Sequence, residues 1–594
     1  MRIRSLKLRG FRNFKDAIVR LNDHALIIGT NDVGKSNLLF ALRLLLDRSL
    51  AETELEPSDS DFYAREETNE LEVLVEFCEV EEDCVLSKMR EHVGDDSRLL
   101  LQYWAKRAHM GGKIDYGLKA GASEGLLAPI DSRFYLRVLD LRFIASDRDL
   151  HSFIRREKRG ILHDARERRT EEEKAADQTR LHGIETKLSE VRTSVGELSY
   201  VKKSTQGINE ELGKLSYHNE HQEVVFDTGA SEPSGYVENL RLASTIRERT
   251  VTLGGDGRTN QVHLALWAAK NRLEAGQGEA LRVTLYAIEE PEAHLHPHQQ
   301  RRLAHYLSEV FSGQVLLTSH SPQLACAFPP SSIVRLHDSN GGTLAAGNGA
   351  SPFVESAMVD CGYRMSVLAV ESFFASAVLL VEGPSEELFY KALAKQLNLD
   401  LDRWNISVIG VDGVGFATYA SLLKSLCIPF VLRTDNDVSK IPKQQAYRFS
   451  GAERALKLAR DFFDGFTEPE HFSGDEEKLK GFATRDPPPQ DNQAVADAVK
   501  AGVESFGVFL AKRDLEHDLF DQLPDPWKEF TGEDDRGAVV ARMQSKKATV
   551  MFDFLREKQD ALGALGDSDL ARPLVRAKQL VAQERADDPA PHTH

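Results

Sequence analysis

The sequence predicts an α/β fold in which two doubly wound domains follow each other along the chain. Its 594 residues are enough for about three or four domains of ordinary size. Short apolar strands alternate with helical patterns over most of this length, as they do in α/β proteins. In two distant parts of the chain, glycines and acidic residues come directly after such strands. We therefore expect two α/β units, each with polar chemistry where its strands end.

The composition is that of a folded, acidic protein. Hydrophobic residues make up 41% and charged residues 28%, and 75 basic against 93 acidic residues give a net charge of −18. No segment approaches the roughly 18–20 apolar residues of a membrane span, and the N-terminus lacks a signal-peptide core, so we expect a cytoplasmic protein. The five cysteines form no C-x-x-C pair, which argues against zinc ribbons and disulfides and predicts buried thiols. The acidic balance argues against uniform attraction to nucleic acid but allows a local basic groove.

The first motif is a glycine loop between a strand and a helix. Apolar residues over 2–8 and 18–28 predict two strands, and the second runs into the loop. The segment Gly29–Ser36 matches the G-x-x-x-x-G-K-[ST] phosphate-binding pattern. Its backbone N–H groups close around phosphates, Lys35 adds positive charge, and Ser36 offers its hydroxyl to Mg²⁺. The candidate nucleotide-binding residues of this loop are Gly29, Asn31, Gly34, Lys35, Ser36 and Asn37.

Two strands far downstream end in residues suited to ATP hydrolysis. An apolar strand over 283–288 delivers Glu289 as the candidate Mg²⁺-side acid and Glu290 as the candidate group that polarises water. A second strand, over 315–318, leads to His320, which is a candidate sensor of the γ-phosphate. A lone histidine of this kind is more often a core residue, but its order after the other two motifs favours the nucleotide role.

Residues 150–223 differ from the rest of the chain, because they are charge-rich and nearly free of aromatic residues. Apolar residues recur at steps of three and four from Leu181 to Leu198, which predicts a heptad stripe on a helix. We interpret this segment as a helical insertion that pairs subunits. A solvated helical arm is the alternative.

In this order, the glycine loop and the two strand ends resemble the ABC-type ATPase head of the RecF and SMC class. The opening segment Leu8–Phe14 resembles the first hairpin of those heads. The resemblance implies ATP and Mg²⁺ held between the heads of two subunits. Leu253–Gln261, followed by a predicted helix over 262–273, is the best candidate for the segment that caps the partner's ATP. It lacks the serine of such segments, which argues against brisk ATP turnover but not against nucleotide binding.

Acidic residues also follow two strands in the second half of the chain. Glu382 follows the first strand, and Glu386 lies one turn into the next element, where it can face the same point. Asp435 and Asp437 follow the second strand, and alternate residues of an extended segment point to one side. Hard oxygen ligands suit Mg²⁺ or Mn²⁺. The two predicted strands are Ala377–Val381 and Phe430–Thr434.

A third acidic segment and a late lysine complete the candidate set. A predicted strand over 508–511 is followed by Asp514 and Glu516, which allow a second cation of the kind that two-metal phosphodiester hydrolysis requires. Lys546 and Lys547 precede a helix, and either side chain can neutralise charge in the transition state. A solvated helix face is the alternative for this lysine pair.

The E-G-x-x-E and D-x-D motifs resemble the Toprim domain of topoisomerases, primases and certain nucleases. An ABC-type head, a Toprim domain, a D-L-E-x-D-L segment and a late lysine occur in this order in OLD (overcoming lysogenization defect) family nucleases. The match is to the class-two branch, which includes the nuclease subunit of the Gabija antiphage system. The resemblance implies metal ligands at Glu382, Glu386, Asp435 and Asp437, a later acid at Glu516 with Asp514 beside it, and a catalytic lysine at Lys547 with Lys546 as the fallback.

These features predict an ATP-regulated, Mg²⁺- or Mn²⁺-dependent DNA endonuclease or nickase, in antiphage defence or DNA processing. A homodimer or a higher oligomer such as a tetramer follows from the paired heads, and a helicase partner is implied only by the family. The main alternative is a RecF-like repair ATPase whose Toprim domain is a scaffold, and another is an effector that degrades RNA or nucleotides. Topoisomerase activity requires a tyrosine nucleophile with strand-gating domains, and primase activity requires a zinc module. We identify neither arrangement in the sequence.

The predicted architecture is an ABC-type P-loop ATPase domain with a helical dimerisation insertion, followed by a Toprim α/β nuclease domain with helical additions. The expected boundaries are 1–150 and 224–368 for the ATPase domain, 151–223 for the insertion, 369–582 for the Toprim domain with a polar insertion or mobile loop at about 445–500, and 583–594 for a disordered tail.

Overall fold

The computed structural model describes residues 1–145, 162, 165–166, 168–203, 205–206, 243–246, 249–252, 282–293, 295–311, 313–339, 341–361, 370–412, 415–466 and 476–586. The chain divides into two compact units, one formed by Met1–Ser146 and Glu279–His594 and the other by Asp147–Gly278. The predicted capping segment at 253–261 and most of the predicted tail lie outside the described residues. None of the helices within the described ranges is long and apolar enough to cross a membrane.

The strands follow the apolar segments of the sequence. They are β1 (Arg2–Phe11), β2 (Phe14–Arg20), β3 (His24–Ile28), β4 (Glu70–Cys78), β5 (Leu99–Arg107), β6 (Ile114–Gly121), β7 (Ala128–Ile130), β8 (Leu139–Ile144), β9 (Ala243–Ile246), β10 (Arg249–Thr252), β11 (Val283–Glu289), β12 (Val315–Thr318), β13 (Ile333–His337), β14 (Leu344–Ala345), β15 (Ala377–Val381), β16 (Ile406–Gly410), β17 (Phe430–Thr434), β18 (Val438–Lys440), β19 (Tyr447–Phe449), β20 (Lys480–Phe482) and β21 (Val508–Leu510).

The helices alternate with these strands in the first unit and add a helical layer near the C-terminus. They are α1 (Lys35–Leu46), α2 (Asp83–Met89), α3 (Glu171–Gly196), α4 (Pro297–His305), α5 (Pro322–Ala327), α6 (Pro352–Cys361), α7 (Pro384–Gln396), α8 (Leu401–Trp404), α9 (Phe416–Ser425), α10 (Ser450–Phe462), α11 (Gln490–Glu504), α12 (Leu515–Gln522), α13 (Pro524–Thr531), α14 (Arg536–Ser545), α15 (Lys547–Lys558) and α16 (Arg572–Ala586).

The ATPase part of the first unit contains two sheets. An antiparallel sheet has the order β2-β1-β4-β5-β6-β7, and a mainly parallel sheet has the order β14-β13-β3-β12-β11-β8. The single strand expected over 18–28 is therefore wrong, because the chain breaks at residues 21–23 and its two pieces, β2 and β3, join different sheets. Apolar side chains from α1 and both sheets form one core.

The Toprim part contains a four-stranded parallel sheet with the order β16-β15-β17-β21 and a small antiparallel sheet with the order β18-β19-β20. Its core extends into the C-terminal helices, where the fully buried Trp527 of α13 stacks on Phe554 of α15 with ring centroids 3.7 Å apart. The loop interpretation of 445–500 is wrong for the described residues, since they include β19, α10, β20 and α11. Helix α10 buries one alanine- and leucine-rich face, which the polar overall composition of this segment conceals.

Arg335 of β13 connects the parallel ATPase sheet to the Toprim part within this unit. Its buried guanidinium donates hydrogen bonds to the carbonyls of Phe373 (3.0 Å), Ala375 (3.3 Å), Leu426 (2.9 Å) and Cys427 (3.2 Å). Strand β13 lies beside β3, which runs into the phosphate-binding loop. The prediction of buried thiols is wrong for the described cysteines, because Cys427 is exposed and Cys78, Cys84 and Cys326 are only partly buried.

In the second unit, α3 confirms the helix that the heptad stripe predicted. The helix begins with a capping box, in which Thr170 and Glu173 exchange side-chain and backbone hydrogen bonds. Ile184 and Val191 of the stripe are exposed to solvent. The pairing of subunits through this surface stays a prediction.

Candidate active sites

The phosphate-binding loop joins β3 to α1 around two glycines with positive φ. Gly34 has φ 99° at the start of α1, and Gly29 has φ 154° where an added Cβ would lie 2.5 Å from the Leu336 carbonyl oxygen. The Nζ atom of Lys35 donates to the carbonyls of Gly29 (3.0 Å) and Thr30 (2.7 Å). Burial lowers the pKa of Lys35 to about 8, against the opposing effect of nearby acids, chiefly Glu290. The amino group is therefore held inside the loop, where a phosphate would meet it.

The downstream acids lie beside this loop because β11 and β12 are parallel neighbours. Glu289 pairs in register with Thr318, and the hydroxyl of Ser36 donates a hydrogen bond to Glu289. Glu290 has φ 44°, and its carboxylate lies 3.5 Å from Nε2 of His320. Burial, together with Lys35, lowers the pKa of His320 despite Glu290. The structure thus brings together these predicted residues of the nucleotide site.

Two residues of the loop have other surroundings. Asn31 is exposed at the tip, whereas Asn37 lies on α1 and donates to the side chain of Asn13 (2.8 Å) while accepting from Arg12 (2.9 Å). Sequence reasoning missed Glu292, a half-buried residue whose Oε1 accepts hydrogen bonds from the Ser319 hydroxyl (2.7 Å) and the His320 backbone N–H (2.8 Å). Its position three residues after Glu289 was the available signal.

The acidic motifs of the Toprim part meet at one edge of the sheet, because β15, β17 and β21 are parallel and end on the same side. Glu382 follows β15, and its Oε1 accepts hydrogen bonds from the Thr434 hydroxyl (2.8 Å) and the Asp435 backbone N–H (2.9 Å). Glu386, in the first turn of α7, accepts a hydrogen bond from the Glu382 backbone N–H. The E-G-x-x-E spacing therefore brings both carboxylates to the end of β17.

Arg433 is the charged centre of this edge, and sequence reasoning missed it. The side chain is 3% exposed, and its guanidinium lies 2.5 Å from Glu386, 3.5 Å from Asp435 and 3.2 Å from Asp518. Burial raises the pKa of Glu386 and Asp435, and Arg433 opposes the rise in both. An arginine inside the otherwise apolar strand Phe430–Thr434 was the signal, since a buried charge requires a partner.

A second arginine, Arg454 of α10, reaches the same edge from the segment predicted to be a loop. It donates to Glu382 (2.8 Å), to the Thr434 hydroxyl (2.9 Å) and to the Asp435 carbonyl (3.1 Å). Its guanidinium also lies 3.8 Å from Asp437, whose pKa is raised by burial and by Glu382. Arg454 is about one-third exposed, so it is far more open to solvent than Arg433.

The third acidic segment joins the edge through α12. Asp514 caps this helix, and its carboxylate accepts from the His517 backbone N–H (2.8 Å) and from Gln544 (2.9 Å). Burial raises the pKa of Asp514, but the bonds from His517 outweigh it and the pKa is lowered overall. Glu516 is buried, and its carboxylate lies 3.1 Å from Nζ of Lys547. Burial lowers the pKa of Lys547, but Glu516 and neighbouring acids raise it overall.

Two clefts meet at this edge, and Asp435 and Lys547 line both of them. The acidic cleft, of about 370 Å³, is lined by carboxylates from Glu382, Glu386, Asp412, Asp435 and Glu516. The basic cleft, of about 480 Å³, is lined by Asp437 and Asp514 and by the cations Arg485, Lys512, Arg513 and Arg536. Lys546, the fallback for the catalytic lysine, is exposed at the start of α15.

The donor chemistry at this edge fits a hard divalent cation, although arginines hold the carboxylates in the structure. Among the described residues, no group of three or more possible ligands is arranged to hold a metal ion as it stands. Glu382 is engaged by Arg454, and Arg433 engages Glu386 and Asp435. The Oδ1 atom of Asp435 is nevertheless buried without a hydrogen-bond partner. An unsatisfied buried carboxylate oxygen is the kind of atom that a cation stabilises.

Comparisons with known proteins support both parts of this chain. A family model described as AAA ATPase domain matches residues 1–129 and 138–325, more than half of the chain. A second model, described as overcoming lysogenization defect protein-like, TOPRIM domain, matches residues 373–437. The chain is 25% identical over 566 residues to endonuclease GajA of Bacillus cereus, covering 90% of this chain and 92% of that protein.

Shorter matches concern the OLD proteins. The chain is 29% identical over 230 residues to the OLD nuclease of Thermus scotoductus, covering 36% of this chain and 42% of that protein. A crystal structure of the C-terminal region of the Xanthomonas campestris pv. campestris OLD protein aligns with a TM-score of 0.23 and 22% identity, over 36% of this chain and 99% of that one. The chain belongs to the AAA ATPase domain family, and it joins this ATPase head to an OLD-like Toprim domain.

Proposed function

We propose that this protein is an ATP-regulated, divalent-metal-dependent DNA endonuclease or nickase. The relatives that match it carry the names endonuclease GajA and OLD nuclease, and the first match extends over 90% of the chain. The observation that carries the proposal is the junction of acids and Lys547 at one sheet edge. An antiphage role is consistent with the resemblance to the Gabija nuclease subunit.

At this junction the residues have separate roles. Glu382, Glu386, Asp435 and Asp437 are the proposed ligands of one cation, and Asp514 and Glu516 extend the set toward a second. Mg²⁺ or Mn²⁺, when bound, supplies positive charge at the phosphate and lowers the pKa of water. Lys547 stays protonated beside Glu516 and offers its charge to a phosphate oxygen as negative charge develops there.

The ATPase head supplies the regulation in this proposal. Lys35 and Ser36 would bind the phosphates and Mg²⁺, Glu289 would hold the metal, and Glu290 with His320 would face the γ-phosphate. Arg335 connects the sheet that holds the loop to the Toprim part by four hydrogen bonds. A dimer or higher oligomer, and a helicase partner, remain part of the proposal.

A plasmid-nicking assay tests the chemistry. The full-length protein is incubated with supercoiled DNA and Mg²⁺ or Mn²⁺, with and without ATP, and compared with Glu382→Ala. Glu387→Ala is the matched control, since Glu387 lies in the first turn of α7 beside Glu386 but pairs with Lys391. We expect metal-dependent cutting that Glu382→Ala abolishes and Glu387→Ala retains.

Three results would contradict the proposal. If Glu382→Ala still cut DNA, the proposed role of this sheet edge in metal binding would be contradicted. DNA-stimulated ATP hydrolysis without cutting would favour the repair ATPase whose Toprim domain is a scaffold. Faster degradation of RNA or free nucleotides, included as parallel substrates, would favour the effector alternative.

A further inference from the structure

The basic cleft is a cavity of about 480 Å³ in which cations slightly outnumber acids, although the chain has a net charge of −18. Five cations, Arg485, Lys512, Arg513, Arg536 and Lys547, line it together with four carboxylates, Asp435, Asp437, Asp486 and Asp514. Three of the cations already have partners: Arg513 lies 3.0 Å from Asp486, Arg536 lies 2.8 Å from Asp521, and Lys547 lies 3.1 Å from Glu516. Arg485 and Lys512 are exposed, and neither forms an ion pair with another residue in the described ranges. Their charge is therefore available to a ligand from outside the chain.

The position of the cleft points to the kind of ligand. Lys547 and Asp435 stand where the basic cleft meets the acidic cleft, so a phosphate at this point touches the proposed catalytic groups. A strand continuing from it into the basic cleft would bring its next phosphates toward Arg485 and Lys512. In the opposite direction, the acidic cleft would repel further phosphates unless cations filled it.

We propose that the basic cleft binds one DNA strand on one side of the scissile phosphate, with Arg485 and Lys512 contacting flanking phosphates. A cavity of about 480 Å³ is in the range of small-molecule sites. This volume is closer to the size of a nucleotide of one strand than to that of a duplex. The inference rests on the proposed nuclease function and adds to it the path and strandedness of the substrate.

Salt dependence of binding tests the two contacts. The full-length protein, in EDTA so that cutting is prevented, binds a short fluorescent single strand at increasing KCl, as wild type, Arg485→Gln and Lys512→Gln. Loss of one phosphate contact reduces the slope of log K against log salt by about 0.7 for a single strand, which corresponds to about fivefold weaker binding at ~0.1 M salt. Lys88→Gln is the control, because Lys88 is an exposed lysine on α2 of the ATPase part.

The outcomes separate this inference from the proposed function. In one outcome, the wild type cuts DNA, and both cleft variants bind the strand with the same salt dependence as wild type and Lys88→Gln. This result would overturn the cleft assignment but not the proposed nuclease function. A wild-type protein that binds DNA but never cuts it would instead contradict the proposed nuclease function. A slope change of about 0.9 seen only with duplex DNA would overturn the single-strand assignment. A loss of cutting rate at saturating DNA with unchanged binding would also overturn it, since a phosphate contact acts on KM.

Discussion

Replacing Arg433 with methionine should destabilise the Toprim part much more than the same change at Arg454. The Arg433 guanidinium is almost fully buried within 3.5 Å of three carboxylates, Glu386, Asp435 and Asp518. Removing one partner of a buried ion pair leaves uncompensated charge and costs about 3–5 kcal/mol of unfolding free energy. Arg454 contacts Glu382 from a position about one-third exposed, where an ion pair contributes about 0–1 kcal/mol.

Urea unfolding followed by tryptophan fluorescence measures this difference in metal-free buffer. Trp527 is fully buried in the core that extends from the Toprim sheet, so it reports unfolding of this part. We expect the Arg433→Met transition to lie at much lower urea than that of Arg454→Met. If the two variants differed by less than about 1 kcal/mol, the buried charge network would not have the energetic role inferred from its burial and distances.

The same charge network also predicts the direction in which the stability of Arg433→Met changes with pH. Burial raises the pKa of Glu386 and Asp435 above their unfolded values of about 4, and Arg433 limits the rise. A carboxyl whose pKa is higher in the folded state binds more protons there, so stability falls as pH rises above about 4 toward the folded pKa. Without Arg433 both values rise further. The loss of unfolding free energy in Arg433→Met should therefore be larger at pH 8 than at pH 5.

Three further changes follow from the structure. Lys547→Met should lower the cutting rate at saturating DNA by about 100-fold, the cost of losing one charge-stabilising donor, while Lys546→Met should keep the wild-type rate; equal losses would contradict the assignment. MgATP affinity should weaken as pH rises above about 8, because burial lowers the pKa of Lys35 to about 8, and titration calorimetry should show a flatter dependence in Lys35→Met. Trp527→Ala should cost about 3–5 kcal/mol by circular dichroism, whereas Phe552→Ala, at an exposed position, should cost almost nothing.

The elements that carry the motifs were predictable because their signals are local. The glycine loop, the strands before Glu289, Glu382 and Asp435, and the helix after the loop each depend on neighbouring residues and on backbone preferences. The carboxyl ends of parallel strands meet at one edge, so the acidic motifs were also expected to converge.

The errors came from segments whose structure depends on distant contacts. The pattern over 18–28 is apolar throughout, and only the assignment of β2 and β3 to different sheets separates it into two strands. The segment around α10 is polar overall, yet its alanine- and leucine-rich face packs in the interior and places Arg454 at the acidic edge.

By itself, the sequence determined which chemical groups this protein places at strand ends and the order of its ATPase and Toprim parts. Only the tertiary structure decided which charges meet, because Arg433 and Asp518 are 85 residues apart and the carboxylates of the edge come from several elements. Local patterns encode the faces of strands and helices. The partner of a buried charge depends on how those faces pack, and no local pattern specifies that.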